Sequence, residues 1–128
     1  MKKVFSSLLF IALLAGCSSN AEQKRQLELI ANNRANLLNS ELPLERGPLS
    51  IMRANSKGTT IEIMMVYNDD AKGAKPVQEV MKMSVNSYCN NPDVKDNLDV
   101  GISYRIKMRN SRGQLMIDEF IDQKTCSQ

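Results

Sequence analysis

The sequence predicts an α+β domain in which a four-stranded, mainly antiparallel sheet packs its helices over one face. Three observations carry this reading. Apolar residues recur every three to four positions in two stretches, around 27–38 and 77–88, as on one stripe of a helix. Three other stretches, 59–67, 102–109 and 115–122, alternate with the period of two expected of strands. Turn chemistry separates the strand-like runs, as Asn55-Ser56-Lys57-Gly58 and as Asn110-Ser111-Arg112-Gly113. The predicted order is N-terminal helix, β-hairpin, amphipathic helix, β-hairpin.

The chain opens with Lys2 and Lys3 followed by the apolar run Val4 to Leu14, the pattern of a secretory signal. That run is too short for a permanent bilayer span, which takes about 20 residues. It ends in Leu14-Ala15-Gly16-Cys17, which resembles the lipobox of bacterial lipoproteins. The resemblance implies diacylglycerol on the Cys17 thiol and removal of residues 1–16. A lipidated tether at 17–20 and a single domain at 21–128 would follow. Ser18 after the cysteine, read by lipoprotein sorting rules, implies the outer membrane with the domain facing the periplasm. Two or more acyl chains hold a protein stably on a membrane, at about 0.8 kcal/mol per buried CH₂. No cofactor is expected beyond this covalent lipid.

The elements follow in order. Leu27, Ile30, Ala31, Ala35 and Leu38 place a helix over about 21–40, which Pro43 ends. Leu44 to Gly47 reads as a loop. Pro48 opens a strand through Ala54, and Thr59 to Tyr67 completes a hairpin. In the second strand Ile61, Ile63, Met65 and Tyr67 share one face. Met64 and Val66 break the polarity of the other, so part of that face should also be covered. Pro76 is suited to start a helix, and Val77, Val80, Met81, Ser84, Val85 and Tyr88 give it an apolar stripe. Asn91-Pro92 reads as a cap and first-turn proline for a short helix to about Leu98. Ile102, Tyr104, Ile106 and Met108 then alternate with Ser103, Arg105, Lys107 and Arg109. The last strand carries acidic residues that can face this basic row, each cross-strand pair contributing roughly 0.2–1 kcal/mol.

Composition narrows the function. Without Lys2 and Lys3 the 17 basic residues become 15 against 14 acidic ones, so the mature chain is near neutral and a nucleic-acid partner is not expected. With no histidine there is no ordinary Ser-His or Cys-His pair and no imidazole metal site. Asp118 and Glu119 are adjacent on a strand and point to opposite faces. No glycine-rich phosphate loop occurs. An enzyme is not expected. Of the three cysteines, lipid on Cys17 leaves Cys89 and Cys126 to pair or to remain as buried thiols. An oxidising periplasm permits a disulfide.

The later two-thirds of the chain, roughly Pro48 to Cys126, resembles the AspS-type (GspS/AspS family) pilotins of type II secretion systems. The match lies in Ser56-Lys57-Gly58-Thr59-Thr60, Ser87-Tyr88-Cys89-Asn90-Asn91-Pro92-Asp93-Val94-Lys95, Gly101-Ile102-Ser103-Tyr104 and Thr125-Cys126, together with the lipobox. The resemblance implies a disulfide between Cys89 and Cys126. It also implies an adaptor that binds the C-terminal segment of a secretin subunit and carries it, through the lipoprotein sorting machinery, to the outer membrane. A peptide site needs an apolar groove with a polar rim. Val77, Val80, Met81, Val85 and Tyr88 on the helix are candidate lining, as are Met64, Val66, Met116 and Phe120 on the sheet; all could equally be core. Arg105, Lys107 and Arg109 are a candidate rim for acidic partner residues. The alternative is a structural or ligand-binding envelope lipoprotein unrelated to a secretin.

Overall fold

The computed structural model describes residues 15–127, with side chains from Asn20 onward. The chain runs α1 (Ala15–Asn39), β1 (Leu44–Arg46), β2 (Leu49–Lys57), β3 (Thr60–Tyr67), α2 (Val77–Asn90), α3 (Pro92–Asp99), β4 (Ser103–Arg109), β5 (Leu115–Ile121) and α4 (Gln123–Cys126). This is an α+β fold. Most of the expected signal segment lies outside the described residues, as does the side chain of Cys17. The expected tether at 17–20 is helical backbone continuous with α1. No proline interrupts that stretch, and the residues after it are good helix formers.

The sheet has five strands in the order β1-β2-β3-β4-β5, where four were expected. The additional strand, β1, falls in the segment read as a loop and pairs antiparallel with β2 through Leu44↔Ile51 and Arg46↔Leu49. Three residues are too few to display a period. The pairing of β3 with β4 is parallel, with Ile61↔Tyr104, Ile63↔Ile106 and Met65↔Met108 in register. Parallel neighbours need a long crossover, and α2 with α3 supplies it. The sheet is therefore mixed.

Gly58, at φ +60°, makes the tight turn between β2 and β3 that residues with a Cβ rarely adopt. In β3, Ile61, Ile63, Met65 and Tyr67 are buried, while Glu62, Met64 and Val66 between them are only half-covered. Tyr104, Ile106, Met108, Ile117 and Ile121 continue the same buried surface across β4 and β5. The helices gather on this one face. α1 approaches closely through Ala31 and Ala35, both buried, against buried Ala54 of β2. The Asn39 side chain accepts from Ala54 N–H at 2.8 Å and donates to its carbonyl, pinning the end of α1 to β2. α2 packs Val77, Val80, Met81, Val85, Tyr88 and Cys89 onto the core, and α3 adds Val94 and Leu98.

Cys89 at the end of α2 is bonded to Cys126 in α4, with Cα atoms 5.3 Å apart. α4 begins with a reciprocal cap: Asp122 accepts from Thr125 N–H at 3.0 Å, and Thr125 Oγ1 accepts from Asp122 N–H at 3.2 Å. The bond thus ties the crossover helix to the segment leaving the edge strand.

A groove between the helices as candidate functional site

α1 covers β2 and β3, while α2 leans toward β5 and α3. Between β1 and α2 the cover is incomplete: Leu49 and Ile51 stay partly exposed, with Met65 and Tyr67 buried beside them. The result is a groove of about 540 Å³ whose floor is Leu49, Ile51, Met65 and Tyr67. One wall is α2, through Val80, Met83, Ser84, Ser87 and Tyr88; Leu44 and Arg46 of β1 form part of the other. Leu44 and Met83 at the rim stay largely in solvent, Met83 at 53% exposure. A second hollow of about 450 Å³ continues past Ser87 and Tyr88, which line both. Leu37, Leu38, Val94 and Tyr104 contribute to it, with Arg34, Glu41 and Asp93 as its charged members.

Tyr88 stands where the two hollows meet. Its ring meets Tyr104 edge-on, with centroids 5.6 Å apart. Tyr104 Oη accepts from buried Asn97 Nδ2 at 2.7 Å, which fixes that ring in turn. Burial, with Tyr104 adding to it, pushes the Tyr88 phenol far above its usual range, so it stays neutral at physiological pH. At the opposite end Tyr67 Oη donates to the carbonyl of Lys75, fixing the loop before α2. These contacts hold floor and walls in place before any partner arrives, which lowers the ordering cost of binding.

The structure divides the sequence-predicted candidates. Val80 and Tyr88 line the groove. Val77 packs into the core at the first turn of α2. Met81 and Val85 sit on the flank of α2 that faces Glu119 and the disulfide. Met116 packs against the core beside the register shift at the end of β4. Met64, Val66 and Phe120 do not reach the groove. Period-two alternation puts Met64 and Val66 opposite Met65, on the face away from the helices. Phe120 is paired there with Arg105 and is half-exposed. Leu44, Leu49, Ile51, Met65, Tyr67 and Met83 were not singled out for the site. The floor residues read simply as core, and Leu44 lies in the unrecognised β1. Met83, an exposed apolar residue three positions after Val80, is the signal that could have drawn attention.

The basic row also lies on the open face, and the sheet answers most of it internally. Arg105 forms a two-pronged bond to Asp118, at 2.6 and 2.9 Å. Glu62 lies 3.2 Å from both Lys57 and Lys107. Arg109 donates to the Gly113 carbonyl at 2.9 Å. Partial burial works to raise the Glu62 carboxyl, but hydrogen bonds from Lys107 and Lys57 outweigh it and hold it below the usual range. Asp118 is lowered by its hydrogen bond from Arg105, and Asp122 by the backbone N–H of Thr125. These groups form a charge lattice across strands and do not rim the groove. Among the described residues no cluster of three His, Cys, Asp or Glu side chains could hold a metal, and no helix is long and apolar enough to cross a membrane.

A small disulfide-pinned α+β domain with a partly open apolar groove is the architecture of a binding module. Residues 23–126 match the family model described as the type II secretion system pilotin, S protein, and the chain belongs to that family. It is 26% identical over 126 residues to pilotin AspS 2 of Escherichia coli O78:H11 (strain H10407, ETEC), covering 97% of this chain and 90% of that protein. The solved pilotin AspS from Vibrio cholerae is 58% identical with a TM-score of 0.79, covering 84% of this chain and 99% of that one. The fold also matches a chain of the ETEC pilotin–secretin AspS–GspD complex, at 22% identity and a TM-score of 0.51, over 77% of this chain and 89% of that one.

Proposed function

We propose that this pilotin is a lipid-anchored carrier for a secretin subunit. Cys17 bears the lipid, and the groove between β1 and α2, with its continuation toward the end of α1, seats the C-terminal segment of the secretin. The lipoprotein sorting machinery then delivers both to the outer membrane, where the subunit joins its ring. The related AspS–GspD pair, a pilotin with its secretin, supports the choice of partner. The observation that carries the reading is the groove itself: an apolar floor and walls, with Leu44 and Met83 standing exposed at the rim. Each large apolar side chain buried in such a site contributes roughly 1.5–3 kcal/mol before the cost of association.

Membrane fractionation of a strain lacking the protein tests this function. The secretin is expected in the inner membrane without ring multimers, and Cys17→Ser is expected to reproduce the defect with the domain still folded. Normal outer-membrane rings in the deletion strain would contradict the reading.

A further inference from the structure

The two ends of the groove differ in electrostatic sign, and we infer that this polarity sets the direction of the bound segment. It lies antiparallel to α2, its C-terminal end against Arg46 and Lys75 and its N-terminal end beside Glu41 and Asp93. The inference rests on the groove being the secretin site.

The shape of the groove indicates a helical occupant. Val80, Met83, Ser84, Ser87 and Tyr88 follow the spacing i, i+3, i+4, i+7, i+8, one stripe of α2 whose ends, Val80 and Tyr88, also pack on the core while Met83 stays exposed. Ser84 and Ser87 at its centre are small and let a second backbone come close. From Val80 to Tyr88 the stripe runs about 12 Å at 1.5 Å per residue, enough for about two turns of a facing helix.

The charges distinguish the ends. Arg46 and Lys75 are the charged residues of the first hollow. Arg46 shares the groove side of β1 with Leu44. Lys75 has its backbone held by Tyr67, and its Nζ lies 3.8 Å from Met83 Sδ at the rim. Its pairing with Glu79 is long, 4.0 Å, and exposed on both sides, so it neutralises little. In the second hollow Glu41 and Asp93 outnumber Arg34. Helix dipoles add to the contrast. α2 begins beside Lys75, giving partial positive charge there, and ends near the second hollow, as does α1. α3 begins at that end with the opposite sign, reduced because Asn91 Oδ1 accepts from the N–H groups of Asp93 and Val94. A bound helix carries its negative pole at its C-terminus, and a chain-terminal segment ends in a carboxylate as well. Both favour the Arg46–Lys75 end.

The test uses the full mature protein in detergent and a synthetic peptide of the C-terminal segment of its own secretin. A photo-crosslinker is placed at either peptide end, and adducts are mapped by mass spectrometry. The C-terminal probe is expected on residues 44–49 and 73–75, and the N-terminal probe on 34–41 and 91–94. The double reversal Arg46→Glu with Lys75→Glu is expected to weaken binding about tenfold at low salt and less at high salt, with the thermal midpoint unchanged. Peptide that binds with the probes exchanged, or with both probes scattered over both ends, overturns the direction while leaving the partner intact. Peptide that does not bind at all overturns both readings.

Discussion

The two faces of the sheet solve different problems. On the covered face the strands present a continuous apolar surface, and the helices cover it incompletely between β1 and α2. On the open face apolar residues such as Met64, Val66 and Phe120 are interspersed with charges that pair across strands, Glu62 with Lys57 and Lys107, Asp118 with Arg105. The open face thus satisfies itself with short, local partners. The covered face has a hollow that the described residues leave open. The proposed binding site therefore lies where the helical layer is incomplete, and not where the sheet has no layer at all.

Substitutions separate the two faces by size of effect. Ile106→Ala removes a fully buried side chain from β4 and is expected to cost about 2–5 kcal/mol in urea unfolding. Replacing Cys89 and Cys126 together with serine releases a 37-residue loop and is expected to cost about 4 kcal/mol by loop-closure entropy. A loss under about 1 kcal/mol would mean that packing alone holds α2 to α4. Met83→Glu places a charge at the groove rim. It is expected to weaken peptide binding tenfold or more while changing stability by less than about 0.5 kcal/mol, since the side chain is already exposed.

On the open face the effects shrink. Arg105→Ala breaks an exposed ion pair and is expected to lower the thermal midpoint only slightly, less in high salt, without touching peptide affinity. The same lattice predicts a mild acid sensitivity. Glu62, Asp118 and Asp122 are held below the usual carboxylate range. A depressed carboxylate contributes stability that is full above its unfolded value, near pH 4, and is lost as pH falls through the folded value. Thermal midpoints measured from pH 6 down to pH 3 should hold steady and then fall below about pH 4. Glu62→Gln should flatten part of that fall.

Much of the fold was legible because each long element has a strong period. α2 announces itself through Val77, Val80, Met81 and Val85 after Pro76, and β4 through strict alternation from Ile102 to Arg109. What stayed hidden has physical causes. β1 is three residues long and exists because Leu44 to Arg46 find an edge of β2. Whether β3 pairs parallel or antiparallel with β4 depends on how α2 and α3 carry the chain back, and local periodicity says nothing about that. The groove was half legible. Val80 and Tyr88 sit on the helix stripe that drew attention, whereas Ile51, Met65 and Tyr67 look the same in sequence whether a helix covers them or a partner does. Met64 and Val66 seemed to call for a cover, but their strand neighbours and the stems of flanking Arg and Lys residues leave them half-buried without one.

The central claim is that the secretin segment sits on the covered face, and amide chemical-shift mapping of the mature protein titrated with the tail peptide reads this most directly. The account predicts shifts concentrated at Leu49, Ile51, Ser84, Ser87 and Tyr88, with the amides of Arg105, Lys107 and Phe120 unmoved. Shifts gathered on those three residues, with the α2 stripe silent, would contradict it.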